Sequence, residues 1–129
     1  YGSAERFFSR FFVGNYCPLM FIEENGRNRT PDHLSASEKG PLFEICGRLL
    51  QAVVDHLKPR FVVGVGRFSE RRCRAALSGS ESIIGGITHP SPANPRANRG
   101  WAACIRQELT DLGVRLPVPE AEAGRENRT

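Results

Sequence analysis

Residues 61–68, Phe61-Val62-Val63-Gly64-Val65-Gly66-Arg67-Phe68 or "FVVGVGRF", are the stretch on which the fold turns. The run from Phe61 to Val65 has no polar side chain and is rich in β-branched residues. A strand with one wet face alternates apolar with polar. A continuous apolar run is how a strand reads when both faces of a parallel sheet are covered. A helical pattern, from about Phe68 to Leu77, starts within a few residues of the strand's end. Strand followed directly by helix is half of a β-α-β unit.

The alternation continues in both directions. Upstream, Leu42, Ile45, Cys46, Leu49, Leu50, Val53 and Leu57 recur at spacings of three and four and predict a helix over about 37–57. Ser37 is the candidate cap, Pro41 fits only near the start, and Lys58-Pro59 ends the helix. Downstream, residues 82–88, "SIIGGIT", predict a strand that runs straight into a polar, proline-rich loop. Trp101 to Leu112 predicts a last helix, with Gly113 as its C-terminal cap. Near the start, Phe11-Phe12-Val13 predicts a short buried strand that stops at Gly14-Asn15, and residues 23–31 are polar and turn-rich. Beyond Pro119 the chain is charged and lacks large apolar side chains, so 119–129 is expected to be a disordered tail. The order of elements predicts one three-layer α/β/α domain over residues 1–118, with a central, mainly parallel sheet.

Bulk properties agree with a soluble globular domain. The chain has 129 residues, 40% of them hydrophobic, and no apolar run near the ~20 residues of a membrane helix. No membrane partner and no secretory signal are expected, and a start at Tyr1 rather than Met reads as a fragment or a trimmed chain. A net charge of +4 permits a polyanionic partner. Cys17, Cys46, Cys73 and Cys104 form no C-x-x-C pair, so they are expected to be reduced, mostly buried thiols in an intracellular protein.

In open α/β sheets ligands sit at the carboxyl ends of strands. That singles out Gly14-Asn15 and Thr88-His89. It also raises Gly64-Val65-Gly66 as a dinucleotide loop, but Ser69 stands where the third glycine belongs, which favours a tight strand-to-helix turn. His89 opens "HPSPANPRANRGW" (89–101). Proline fixes φ, so Pro90, Pro92 and Pro95 pre-shape the loop and leave little entropy to lose on binding. Asn94, Arg96, Asn98 and Arg99 offer donors suited to phosphate oxygens. A rigid, donor-rich loop beside a strand-end histidine suits a nucleic-acid wedge next to a pocket. Otherwise His89 is a histidine bonded into its own loop. Asn15 carries a paired donor and acceptor that can address a nucleobase edge, or else is a turn residue. Residues 26–31, "GRNRTP", form a second basic, turn-forming segment.

Together these segments resemble the single-strand-selective monofunctional uracil-DNA glycosylases, a branch of the uracil-DNA glycosylase superfamily. The resemblance is carried by "FFVGNYCPLMF" (11–21), "GRNRTP" (26–31), "FVVGVGRF" (61–68) and above all "HPSPANPRANRGW" (89–101), and it covers about residues 2–117. It implies a three-layer α/β/α fold and hydrolysis of the bond between uracil and deoxyribose in DNA, leaving an abasic site. It implies no metal or other cofactor, a nuclear DNA-repair setting, and action as a monomer on single- and double-stranded, uracil-containing DNA. By residue, Asn15 matches the asparagine that reads uracil, and His89 the histidine that donates to uracil O2 and stabilises the departing base. Gly26, Arg27, Asn28 and Thr30 match one DNA-contacting region; Ser91, Pro92, Asn94, Arg96, Asn98 and Arg99 match the element that enters the duplex. The family's N-terminal half has no counterpart in the chain. That half carries a G-M-N-P-G-P-F-G-M segment whose asparagine positions the attacking water, and a phenylalanine that stacks on uracil. The sheet is therefore expected to be incomplete on its N-terminal side. Gly14 stands where a histidine often precedes the recognition asparagine, and Ala93 where a basic residue is common.

Overall fold

The computed structural model describes residues 1–92, 94–98 and 100–117, with only the backbone of Arg96. Its elements in order are α1 (Ala4–Phe8), β1 (Phe21–Ile22), β2 (Asn28–Arg29), a 3-10 turn (Pro31–His33), α2 (Ala36–Leu57), β3 (Phe61–Val65), α3 (Gly66–Ala76), β4 (Ile83–Ile87), α4 (Pro95–Asn98) and α5 (Trp101–Asp111). The expected tail at 119–129 lies outside the described residues.

The predicted β-α-β unit is present. Strands β3 and β4 pair in parallel from Phe61↔Ile83 to Val65↔Ile87, and α3 is their crossover. Glycines set how closely the helices approach. A Cβ at Gly64 would lie 2.3 Å from the Glu70 backbone nitrogen, so α3 rests directly on β3. A Cβ at Gly86 would meet the Glu70 carboxylate at 2.4 Å, and one at Gly85 would meet Leu112 Cδ2 at 2.3 Å. Successive strand residues face opposite sides. Gly86 thus admits α3 on one face and Gly85 admits the end of α5 on the other, which gives helix, sheet and helix as three layers.

Helix α2 begins earlier than expected. Its cap is Ser35, not Ser37: Ser35 Oγ accepts from the Glu38 N–H, and Glu38 Oε2 accepts from the Ser35 N–H at 2.9 Å. The reason is spacing. A capping box needs Glu or Gln three residues on, and Ser35 has Glu38 there whereas Ser37 has Gly40. Helix α5 ends in a Schellman motif: Val114 N–H donates to Leu109 O, Gly113 N–H donates to Thr110 O, and Gly113 has φ +87°.

The core is small and lies mostly between α2 and α3. Cys46 and Val54 of α2, Cys73 of α3, Leu77 and Leu34 are less than a tenth exposed. The other side of α2 is open: Ile45 is 58% and Leu49 49% exposed. One expectation fails here. Phe11-Phe12-Val13 is not a strand, and Phe12 and Val13 are 68% and 67% exposed. A lone extended segment leaves its N–H and C=O groups without a ladder. Among the described residues no strand lies beside it. Residues 21–29 instead close a two-stranded antiparallel hairpin, β1 with β2.

Candidate functional site

The two strands of the parallel sheet end side by side, with Val65 opposite Ile87. The next residues are Gly66 on one strand and Thr88-His89 on the other. Gly66 has φ +84°, and a Cβ there would lie 3.1 Å from His89 Cβ, 3.5 Å from Cδ2 and 3.6 Å from Cγ. His89, itself exposed, therefore leans on the bare backbone of Gly66. The tight-turn reading of Gly64-Val65-Gly66 holds: helix α3 starts at Gly66 with no intervening loop. What sequence reasoning missed is that Gly66 is the floor under His89.

Thr88 is the best-anchored residue of the site. It is 8% exposed. Its N–H donates to Glu108 Oε2 and its hydroxyl to Glu108 Oε1, both at 2.7 Å. Trp101 Nε1–H donates to its carbonyl at 2.7 Å. The Cys104 thiol sits 3.6 Å from the Thr88 hydroxyl and 3.5 Å from Glu108 Oε1. Trp101, Cys104 and Glu108 are three and four residues apart, so they share one face of α5. Neither Glu108 nor the place of Cys104 beside Thr88 was read from the sequence, since polar partners a helix away leave no local signal.

The loop after His89 is braced from within. The Asn94 N–H donates to Ser91 O at 2.9 Å, and Asn94 Nδ2 donates to His89 O at 3.4 Å. Asn98 Nδ2 donates to Pro92 O at 2.9 Å. Prolines remove backbone donors, and the two asparagine amides supply replacements that tie the loop's ends together. Asn94 and Asn98, read as donors for an external partner, thus serve the loop's own shape as well. Pro92 and Asn98 are exposed and Ser91 is half-buried. Arg96 contributes only its backbone to the description, and Arg99 lies outside it.

Asn15 is exposed, and its carboxamide makes no hydrogen bond among the described residues. Its neighbour Tyr16 holds the segment in place. The Tyr16 hydroxyl donates to Phe43 O of α2 at 3.0 Å, and its ring meets Phe68 edge-on at 6.0 Å. Phe68 stands in the first turn of α3, two residues after Gly66. Tyr16 thus lies along α3 from Phe68 to Arg72, and among the described residues no hydrogen bond or ring contact joins Asn15 to His89. Burial raises the pKa of the Tyr16 hydroxyl, with Arg72 opposing. Burial also pushes the Cys46 thiol up, helped by its hydrogen bond to the Cys17 thiol. All four cysteines are free, two of them buried and two half-buried.

Gly26, Arg27, Asn28 and Thr30 fall on the β1–β2 hairpin and the residue after it. Gly26 turns the chain at φ +80°, and Asn25 Oδ1 accepts from the Arg27 N–H at 2.9 Å. Arg27 and Asn28 are exposed, and Thr30 Oγ1 lies 3.1 Å from His33 Nδ1. An exposed pair, Arg71 with Asp32 at 3.9 Å, links this region to α3.

The fold and the site define an α/β protein that presents a histidine and a self-braced proline loop where two parallel strands end. Comparison with known proteins shows what this chain is similar to. No family model matches the chain. Over 119 residues it is 44% identical to the single-strand selective monofunctional uracil-DNA glycosylase of Rattus norvegicus, and equally to that of Mus musculus. The Bos taurus protein of the same name is 43% identical. The similarity covers 91% of the chain, which spans 42% of the length of the rat and mouse proteins. Among the described residues no helix is long and apolar enough to cross a membrane.

Proposed function

We propose that this chain is the base-reading and DNA-engaging part of a uracil-DNA glycosylase that acts as a monomer on DNA in the nucleus. The observation that carries this reading is the 44% identity over nearly the whole chain, which includes the His89 loop. In the proposed reaction a uracil is turned out of the stack, because neither its edge nor its glycosidic bond is reachable inside DNA. Asn15 donates to uracil O4 and accepts from N3–H. Cytosine reverses that pattern and would leave a donor or an acceptor unpaired. His89 donates to O2. As the glycosidic bond breaks, negative charge grows on the departing base, so a donor fixed at O2 stabilises the transition state more than the ground state. The loop at Pro90–Arg99 fills the gap left by the flipped base, and the hairpin at 26–30 holds the backbone.

Water activation belongs, in this reading, to the part of the relatives that the chain does not span. The open side of α2 and the unpaired 11–13 segment support the same division, because apolar faces of this kind need a cover. They also favour a second reading, in which the chain binds DNA without cleaving it.

One experiment separates the two. Uracil-containing single-stranded DNA is incubated with the chain alone, and with a rat protein in which the chain replaces the matching segment. Abasic sites are then scored by alkaline strand breakage. The expected result is salt-sensitive binding without breakage for the chain, and breakage for the chimera that His89→Ala abolishes. A chimera that folds and binds DNA yet never breaks it would leave the binding reading standing and end the enzymatic one.

A further inference from the structure

Beyond the residues that touch the base, the helix behind the sheet carries groups aimed at the one residue that precedes His89. We propose that Glu108 and Trp101 are positioning residues for His89 and act on it through Thr88. The proposal rests on the reading that His89 is the donor to the departing base.

The geometry is that of a strand prolonged by side chains. Pairing of β4 with β3 ends at Ile87. Past that point no neighbouring strand holds Thr88 among the described residues. Its N–H donates to Glu108 Oε2 and its C=O accepts from Trp101 Nε1–H, each at 2.7 Å. Its hydroxyl takes the second Glu108 oxygen, also at 2.7 Å. The Thr88 carbonyl lies in the same rigid plane as the His89 N–H, since the peptide unit is flat. The Trp101 bond therefore fixes the plane entering His89. The plane leaving His89 is restrained by Asn94 Nδ2 on the His89 carbonyl and by the ring of Pro90. With both planes held, only the side-chain torsions of His89 remain, and the packing of its Cβ, Cγ and Cδ2 against Gly66 restricts those.

Glu108 suits this task because it is both long and two-pronged. One carboxylate accepts a backbone and a hydroxyl proton from the same residue, so it fixes both the position and the rotation of Thr88. Hydrogen bonds to a carboxylate are among the stronger ones in proteins, and these are part-buried. Among the described residues Glu108 and Trp101 hydrogen-bond to Thr88, not to the His89 ring. Their contribution is to the aim of the imidazole. Groups that hold a reacting side chain in this way commonly change turnover by about 10- to 100-fold when removed.

The test uses Glu108→Ala, Glu108→Gln and Trp101→Phe, with Leu77→Ala as a control that loses core packing far from the site. On the chain itself, three-bond couplings of His89 report its rotamer. The expected result is one dominant rotamer in the unmodified chain and in Leu77→Ala. Glu108→Ala and Trp101→Phe should show averaging over two or more. Glu108→Gln, which keeps an acceptor for the Thr88 N–H, should recover most of the single rotamer. In the rat chimera, Glu108→Ala should lower kcat about 10-fold or more with KM changed less than about twofold. Glu108→Gln should stay within about threefold of the unmodified chimera. The proposal is overturned if Glu108→Ala leaves the His89 rotamer unchanged, or if it lowers thermal stability like Leu77→Ala while turnover stays intact. An inactive unmodified chimera would refute the enzymatic reading instead, and the rotamer data would still decide the role of Glu108 and Trp101.

Discussion

Gly66→Ala offers the sharpest single perturbation, because two costs fall on one atom and can be separated. The first is backbone strain. Gly66 has φ +84°, where an L-residue is disfavoured by about 1–2 kcal/mol. The second is contact. The added methyl would lie 3.1 Å from His89 Cβ, against about 3.5–4.0 Å for comfortable carbon pairs, so His89 must move by about 0.4 Å or more. Gly113→Ala supplies the control. It has nearly the same φ, +87°, but among the described residues its new methyl would meet only the Phe61 ring, at 4.0 Å. Urea unfolding should therefore give both variants a loss of about 1–2 kcal/mol, somewhat more for Gly66→Ala. The His89 ring signals should shift in Gly66→Ala and stay in place in Gly113→Ala. In the chimera, turnover should fall about 10-fold or more for Gly66→Ala, since small misplacements of a reacting group are costly, and less than about twofold for Gly113→Ala. If the two variants prove alike in His89 signals and turnover, Gly66 is only a turn residue and the floor it provides has no functional weight.

Other outcomes follow from the same geometry. Gly64→Ala should cost about 3 kcal/mol or more in the same urea assay, because its methyl would strike the Glu70 backbone at 2.3–2.5 Å and α3 could not stay on the sheet. Ser35→Ala should lower stability by about 1 kcal/mol through loss of the α2 cap, with fraying of the first turn seen by amide exchange. That cap is also acid-sensitive. The Ser35 hydroxyl, and then its backbone N–H, hold the Glu38 carboxyl below its ordinary value of 4.5. A depressed folded value means that the contribution is complete above pH 4.5 and is lost as pH falls through the lowered one. Exchange in the first turn of α2 should rise in that acid window, and Glu38→Gln should blunt the pH dependence.

Much of this architecture was legible along the chain. The unbroken apolar run at Phe61–Val65 specified the parallel strand β3, though not full cover, since Val65 is 43% exposed and Phe61, Val62 and Val63 are half-buried; the apolar spacing from Leu42 to Leu57 specified α2. Both are local signals, set by which side chains must leave water. The capping box at Ser35 was legible too, but only by counting to Glu38 rather than taking the nearest serine. The 11–13 segment shows the limit of local reading. Phe11-Phe12-Val13 has strand composition, yet a strand needs a neighbour, and composition does not supply one.

The sequence by itself determined the layered α/β class, the loop stiffened by Pro90, Pro92 and Pro95, and the prominence of His89 at a strand's end, because each follows from residues adjacent in the chain. Only the tertiary structure decided that Gly66 lies beneath the imidazole and that Glu108 and Trp101 grip Thr88. Those partners stand between about a dozen and two dozen residues away along the chain. They meet because β4 is aligned beside β3 and because Gly85 and Gly86, lacking side chains, let helices close on both faces of the sheet.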